Sequence, residues 1–275
     1  MSYFTQSLRM GARRILSVAA VMNFAALWLL IRSGKNVAIE YLAQSSRYFK
    51  GFGFVWHWHE LPWRDHYIVP AIPAAKLFPE IDFDRSLELF FPFPRKQGVY
   101  THELAVLTDV VNRMKPKRVI EFGTAEGRTS VNLAAYLPPG GELVTIDMPP
   151  LPPSNYVGYF YWEHPMRERI KQLAGDLLRF DWSGYRNSAP IVFCDALDNY
   201  EGVKEETKIA FGLVQAPGVI FWHDYGSSEG VTRFLNELSR DIAVRRVEGT
   251  TLGCLPVPTE EFREQLCQWA SKNSA

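Results

Sequence analysis

The stretch that decides the fold is Glu121-Phe-Gly-Thr-Ala-Glu-Gly-Arg-Thr-Ser130. It follows a short apolar run, Arg118-Val-Ile-Glu-Phe122, which reads as a β-strand, and it leads into a helix from about Thr129 to Tyr136. Its glycines, Gly123 and Gly127, let a backbone turn sharply and come close to a ligand. The spacing G-x-x-x-G is neither the G-x-G-x-x-G dinucleotide fingerprint nor a P-loop, because no Gly-Lys-Ser/Thr follows. Twenty residues past Gly127, Asp147 closes a second strand, Glu142-Leu-Val-Thr-Ile-Asp147. An acid at that place can accept hydrogen bonds from ribose hydroxyls.

Outward from this unit the alternation continues. Thr101 is placed to cap a helix over 102–114, with Leu104, Leu107 and Val111 on one face. Further strands read at Ile170–Ala174, Pro190–Asp195 and Gly218–Trp222, and two last ones at about 242–248 and 250–256. Helices read at 200–214 and 230–238. Strands alternating with helices give an α/β, doubly wound, mostly parallel sheet of seven strands with an antiparallel last strand. Such sheets bind ligands beyond the carboxyl ends of their strands, at the point where strand order reverses. Those ends carry Glu121, Asp147, Asp176, Asp195, and His223 with Asp224. Five polar ends in a row suggest one site.

Four segments together resemble class I, S-adenosylmethionine-dependent methyltransferases, and more narrowly a bacterial group with FVDG-x-HSYE and PGGVI-x-HDY motifs. They are VIEFGTAEGRTSVNLAAYLPPGGELVTID, then VFCDALDNYEGV from Val192 to Val203, then APGVIFWHDY from Ala216 to Tyr225 with GVTRFLNEL from Gly230 to Leu238. The resemblance runs from about Thr101 to Cys254 and implies a Rossmann-like fold with S-adenosyl-L-methionine as cofactor. It implies that Glu121, Gly123 and Gly127 surround the cofactor's methionine part, and that Thr124 in the same turn also binds the cofactor. Asp147 would hold the ribose, Asp176 would sit near the adenine, and Asp195 would face the methyl-transfer region. His223 and Asp224 would flank the acceptor. The chain departs from the pattern at Asp198, which stands where the group has histidine, and at Ala196, which stands for its glycine.

Two chemistries are open for an oxygen acceptor, which must lose its proton. His223 can act as base, since imidazole titrates near neutrality. Alternatively, a divalent ion on Asp195 and Asp224, Mg2+ by the hardness of two carboxylates, can lower the acceptor's pKa. A hydrogen-bonded His223–Asp224 pair that only shapes the pocket is the plainer reading. The competing functions are a non-catalytic membrane-associated relative and a nicotinamide-dependent oxidoreductase, the latter disfavoured by the glycine spacing.

The rest of the chain bounds these readings. Lys+Arg and Asp+Glu both number 30, so a net charge of zero argues against nucleic acid as the partner. Three scattered cysteines, Cys194, Cys254 and Cys267, form neither a disulfide framework nor a zinc set and fit a reducing compartment. Residues 1–35 hold an uncharged run from Ile15 to Ile31, about 26 Å long as a helix. It reads as a membrane anchor, a signal peptide or an apolar helix packed on the domain or on a partner subunit, and as an anchor it puts the domain on the cytoplasmic, inner face of a membrane. Residues 36–100, rich in proline and aromatics, read as an irregular segment with short helices. Within it His57, His59 and His66 among Trp56, Trp58 and Trp63 read as aromatic packing rather than a metal site. The domain reads as 101–256 and is followed by a C-terminal helix over 257–275. The run Tyr156–Trp162 reads as a flap on the acceptor side or a cover for the sheet edge. The partner is then a small-molecule acceptor, with a lipid-like one and a homo-oligomer left open.

Overall fold

The structure, a computed structural model, describes residues 68–79, 86–92, 98–151 and 156–273. In chain order the elements are β1 (Ala71–Ile72), α1 (Ala74–Leu77), α2 (Thr101–Met114), β2 (Arg118–Phe122), α3 (Arg128–Tyr136), β3 (Glu142–Asp147) and β4 (Ile170–Ala174). Then come β5 (Ala189–Cys194), α4 (Tyr200–Leu213), β6 (Val214–Trp222), α5 (Glu229–Leu238), β7 (Arg245–Val247), β8 (Gly253–Val257) and α6 (Glu260–Lys272). They form one sheet in the order β1-β7-β8-β6-β5-β2-β3-β4. Only β8 runs antiparallel to its neighbours, β6 and β7. This is the expected Rossmann-like α/β arrangement, with eight strands instead of seven. The eighth, β1, comes from the proline-rich segment read as irregular and pairs in parallel with β7 at the sheet edge.

The central strands are buried on both faces, as parallel strands under helices must be, and this explains why they are mainly apolar. Alternate residues serve the two faces. Ile120, Phe122, Val144, Val192 and Trp222 pack towards α4, α5 and α6. Val119, Leu143, Ile191, Phe193 and Phe221 pack towards α2 and α3. At about 25 cal/mol per Å2 of apolar surface removed from water, these two layers supply the main driving force for folding.

Several boundaries shift for local reasons. Tyr100, not Thr101, precedes the first turn of α2, and its N–H donates to Glu103 Oε2 at 2.9 Å. The Thr101 hydroxyl donates instead to the Pro92 carbonyl. Val257 completes β8, so the C-terminal helix begins only after Thr259, whose hydroxyl accepts from the Phe262 N–H. All three cysteines are free thiols. Among the described residues no helix is long and apolar enough to cross a membrane. The run from Ile15 to Ile31 and the cluster of His57, His59 and His66 lie outside the described residues.

Candidate active site

Strand register assembles the site. Phe122 pairs with Ile146 on one side and Cys194 on the other, and Cys194 pairs with Trp222. The next residue of each strand is Asp147, Gly123, Asp195 or His223, so these four stand in one row along the carboxyl edge. The row is extended by ladder bonds: Gly123 N–H to Ile146 O, Asp195 N–H to Phe122 O and His223 N–H to Cys194 O, each 3.0 Å. It spans the gap between β2 and β5, where strand order reverses.

The glycine turn bends over this row. Gly123 has φ 86°, and a Cβ there would lie 2.3 Å from the Asp195 carbonyl oxygen. A side chain at Gly123 would therefore push the Asp195 backbone away. Gly127, at φ 77° before α3, would place a Cβ 2.5 Å from the Tyr161 ring. Asp147 ties the turn to β3, its Oδ2 accepting from the Ala125 N–H at 2.8 Å and its Oδ1 from Met148 N–H at 2.6 Å. A cleft opens between this turn, Gly98, Val99 and Asp195. Thr129, read from the sequence only as the start of a helix, also lines it.

Two residues expected around the cofactor turn their side chains inward. Thr124 Oγ1 pairs with Thr145 Oγ1 at 2.8 Å and accepts from Gln172 Nε2 at 2.9 Å, so the cleft meets mainly its backbone. Glu121 is fully buried beneath the turn, where the Ser130 hydroxyl donates to its Oε2. Burial pushes its carboxyl up to about 8, against the pull of Ser130 and Thr145. At neutral pH it holds a proton, and the floor of the turn is uncharged there.

Asp195, His223 and Asp224 converge at the other end of the row. His223 is 5% exposed. Its Nδ1 lies 3.1 Å from Asp195 Oδ1 and 3.4 Å from Asp224 Oδ2. Its Nε2 lies 3.1 Å from Glu103 Oε2. Burial pulls its pKa down, but the Asp195 charge and the hydrogen bonds to Asp195, Asp224 and Glu103 outweigh this and raise it well above the ordinary imidazole value. Both ring nitrogens thus face carboxylates. Asp224 reaches it from a left-handed backbone (φ 62°), a conformation that aspartate tolerates better than most residues. Asp198, on the exposed side, is raised by burial and by the charge of Asp224.

Glu103 was missed by the sequence reading. It is fully buried, and its Oε1 accepts from the Thr251 N–H at 2.6 Å and the Thr251 hydroxyl at 2.8 Å. Burial pushes its pKa up, but His223, with the Thr251 and Tyr100 N–H groups, holds it below the usual value. Its signal in the sequence is an acid at i−4 and i−7 from Leu107 and Val110, inside the apolar stripe of α2.

Asp176 follows Gly175, whose N–H donates to the Asp147 carbonyl at 3.0 Å. Its Oδ1 accepts from the Leu178 N–H. It therefore sits one strand beyond Asp147 on the same edge, away from the His223 cluster. The run Tyr156–Trp162 lies against the glycine turn, with Gly158 N–H on Ala125 O and Phe160 N–H on Glu126 O, both 2.9 Å. Tyr161 is buried while Tyr156 and Tyr159 are exposed.

A strap formed by residues 88–92 crosses α3. Tyr136, Asn132 and Arg128, one helical turn apart, bind the backbone at Glu88, Phe90 and Pro92. Arg128, buried, also donates to the carbonyl of Val99 at the rim of the cleft.

Residues 120–225 match the model of a methyltransferase domain family. A segment of 45 residues is 40% identical to catechol O-methyltransferase B of Danio rerio, and covers 16% of this chain and 17% of that protein. Among solved structures, the SAH-bound methyltransferase PaMTH1 of Podospora anserina aligns with TM-score 0.47 and 17% identity over 60% of this chain and 82% of its own. The O-methyltransferase TomG of Streptomyces achromogenes, in complex with SAM, aligns with TM-score 0.43 and 21% identity over 70% of this chain and 92% of its own. The region that matches the methyltransferase domain family takes in the glycine turn and the row of Asp147, Asp195 and His223 with Asp224.

Proposed function

We propose that the protein transfers the methyl group of S-adenosylmethionine to a hydroxyl oxygen of a small molecule, with the acceptor seated beside Asp195 and Asp224. The observation that carries this is the single row of Asp147, Gly123, Asp195 and His223 across the switch point. It sets a ribose-holding acid, a close-approach turn and an acidic cluster along one edge. The relative in Danio rerio carries the name of an O-methyltransferase for catechol, a small molecule with adjacent hydroxyls, which favours oxygen as the acceptor atom.

In the transfer, the acceptor oxygen bonds to the methyl carbon as the carbon–sulfur bond breaks, and the sulfonium becomes a neutral thioether. The acceptor hydroxyl gives up its proton to solvent water. Alignment of oxygen and methyl can account for several kcal/mol of the barrier. The row supplies it by fixing the turn against Asp195, since Gly123 and the Asp195 carbonyl are in close approach.

A base must offer a free lone pair, and both ring nitrogens of His223 face carboxylates. That favours a divalent cation over His223 as the means of acidifying the acceptor. Asp195, His223 and Asp224 each offer a ligand atom, all within 4.8 Å of one another, a donor set that fits such an ion. Asp195 and Asp224 would hold it, and when bound it would lower the pKa of an acceptor hydroxyl. A lipid-like acceptor and a place on the inner face of a membrane rest on the apolar run at 15–31 alone.

The test is transfer of labelled methyl from S-adenosylmethionine by the full chain to catechols, other hydroxylated aromatics and long-chain alcohols. Label on oxygen that is lost in Asp224→Asn, with S-adenosylhomocysteine still bound, supports the reading. Transfer undiminished in that variant contradicts it.

A further inference from the structure

We propose that the divalent cation takes His223 Nδ1 as a third protein ligand beside Asp195 and Asp224, aimed by Glu103, so that the site selects cobalt(II), nickel(II) or zinc over magnesium. This rests on the reading above that a divalent ion lies there.

The first ground is convergence. Nδ1 is 3.1 Å from Asp195 Oδ1 and 3.4 Å from Asp224 Oδ2. Two donors bound at about 2.1 Å and at right angles stand roughly 3.0 Å apart, so these separations suit neighbouring positions around one ion. Two carboxylates brought this close need a cation between them, and a metal ion takes the place of the Nδ1 proton.

The second ground is the far side of the ring. A histidine that ligates a metal through one nitrogen almost always donates the other N–H to a carboxylate or carbonyl, which fixes ring and tautomer. Glu103 supplies that acceptor at 3.1 Å from Nε2. It is itself immobilised by the Thr251 N–H and hydroxyl and by the Tyr100 N–H. Three chain segments, the start of α2, the β7–β8 turn and the end of β6, thus aim one lone pair at the gap between two aspartates. A histidine needed only to shape a pocket would not require a fully buried carboxylate with four donors.

The third ground is donor chemistry. Magnesium demands oxygen ligands and keeps several waters. An imidazole nitrogen instead favours the later first-row ions, whose affinity rises from manganese towards copper. Two aspartates alone read as a magnesium site; the histidine changes that expectation. Glu103 is a positioning residue, since it touches His223 and not the reacting atoms.

The experiment is titration of the metal-free full chain with Co2+ and with Mg2+ by calorimetry, alongside pulsed electron paramagnetic resonance of the Mn2+-loaded wild type. The expected result is Co2+ bound at least a hundredfold tighter than Mg2+ and nitrogen modulation of Mn2+ from a directly bound imidazole. In Glu103→Gln, Co2+ affinity falls roughly 10–100-fold while S-adenosylhomocysteine affinity stays within threefold. In His223→Asn the preference for Co2+ over Mg2+ collapses. The wild-type resonance reads the ligand even where a variant fails to fold. Absence of nitrogen modulation, or equal affinity for the two ions, overturns the histidine ligand and leaves an all-oxygen site. Absence of any divalent binding overturns the underlying metal reading instead.

Discussion

Glu121→Gln probes the uncharged floor of the glycine turn. The Glu121 carboxyl moves from an ordinary 4.5 to about 8 because it is fully buried, with Ser130 and Thr145 only partly compensating. In the unfolded chain it ionises as pH rises past its ordinary value; in the folded chain it keeps its proton until about pH 8. Stability from this group is therefore fully present below about 4.5 and is lost as pH rises through the window to about 8. A window of about 3.5 pH units at about 1.36 kcal/mol each gives a loss of about 5 kcal/mol, an upper bound, since water entry and relaxation reduce it. Glutamine keeps the shape and cannot ionise. Urea unfolding of wild type and variant at pH 5, 6.5 and 8 reads the difference directly. Glu206, also buried and raised by burial, is common to both chains and cancels. The expected outcome is a variant that gains on the wild type by several kcal/mol between pH 5 and 8. Parallel profiles would refute the protonated, buried carboxyl.

Other substitutions test the geometry of the row. In Gly123→Ala the new Cβ meets the Asp195 carbonyl at 2.3 Å in a left-handed backbone, so S-adenosylhomocysteine affinity falls at least a hundredfold by calorimetry. Arg128→Ala removes the buried guanidinium from the Pro92 and Val99 carbonyls, costs about 2–4 kcal/mol in urea unfolding, and speeds proteolysis within 86–92. Unchanged proteolysis there would contradict the strap. Gly127→Ala drives a methyl into the Tyr161 ring and lowers the melting temperature by several degrees in a thermal scan.

How much of this was legible in the sequence follows from which forces are local. The strands Arg118–Phe122 and Glu142–Asp147 were readable to the residue because parallel strands buried on both faces are mainly apolar, whereas Ile170–Ala174, an edge strand only partly buried, was marked by the Gly175-Asp176 that ends it. The acids at their ends were readable because the carboxyl edge is where such sheets carry polar groups. The strand Ala71–Ile72 was not, since two residues in a proline-rich run carry no period, and their pairing with Arg246 and Val247 is a long-range event. Thr124 was assigned to the cofactor from its place in the turn. Whether its hydroxyl faces the cleft or Thr145 depends on β3 and β4, which the turn's own sequence does not specify. Glu103 was hidden because its partner His223 lies 120 residues away and its own helix reads as plain amphipathic packing. The strap was hidden for a different reason: its backbone is bound by side chains of α3, so its own residues carry no signal.

The central claim is that the edge formed by Asp147, the glycine turn and Asp195 binds S-adenosylmethionine. The most direct measurement is calorimetric titration of the full chain with S-adenosylhomocysteine, in wild type and in Asp147→Ala. The account predicts micromolar binding by the wild type and a loss of at least tenfold in the variant, which removes the proposed ribose partner and the acceptor of the Ala125 N–H. No binding by well-folded wild-type protein, or equal affinity in the two chains, would contradict it.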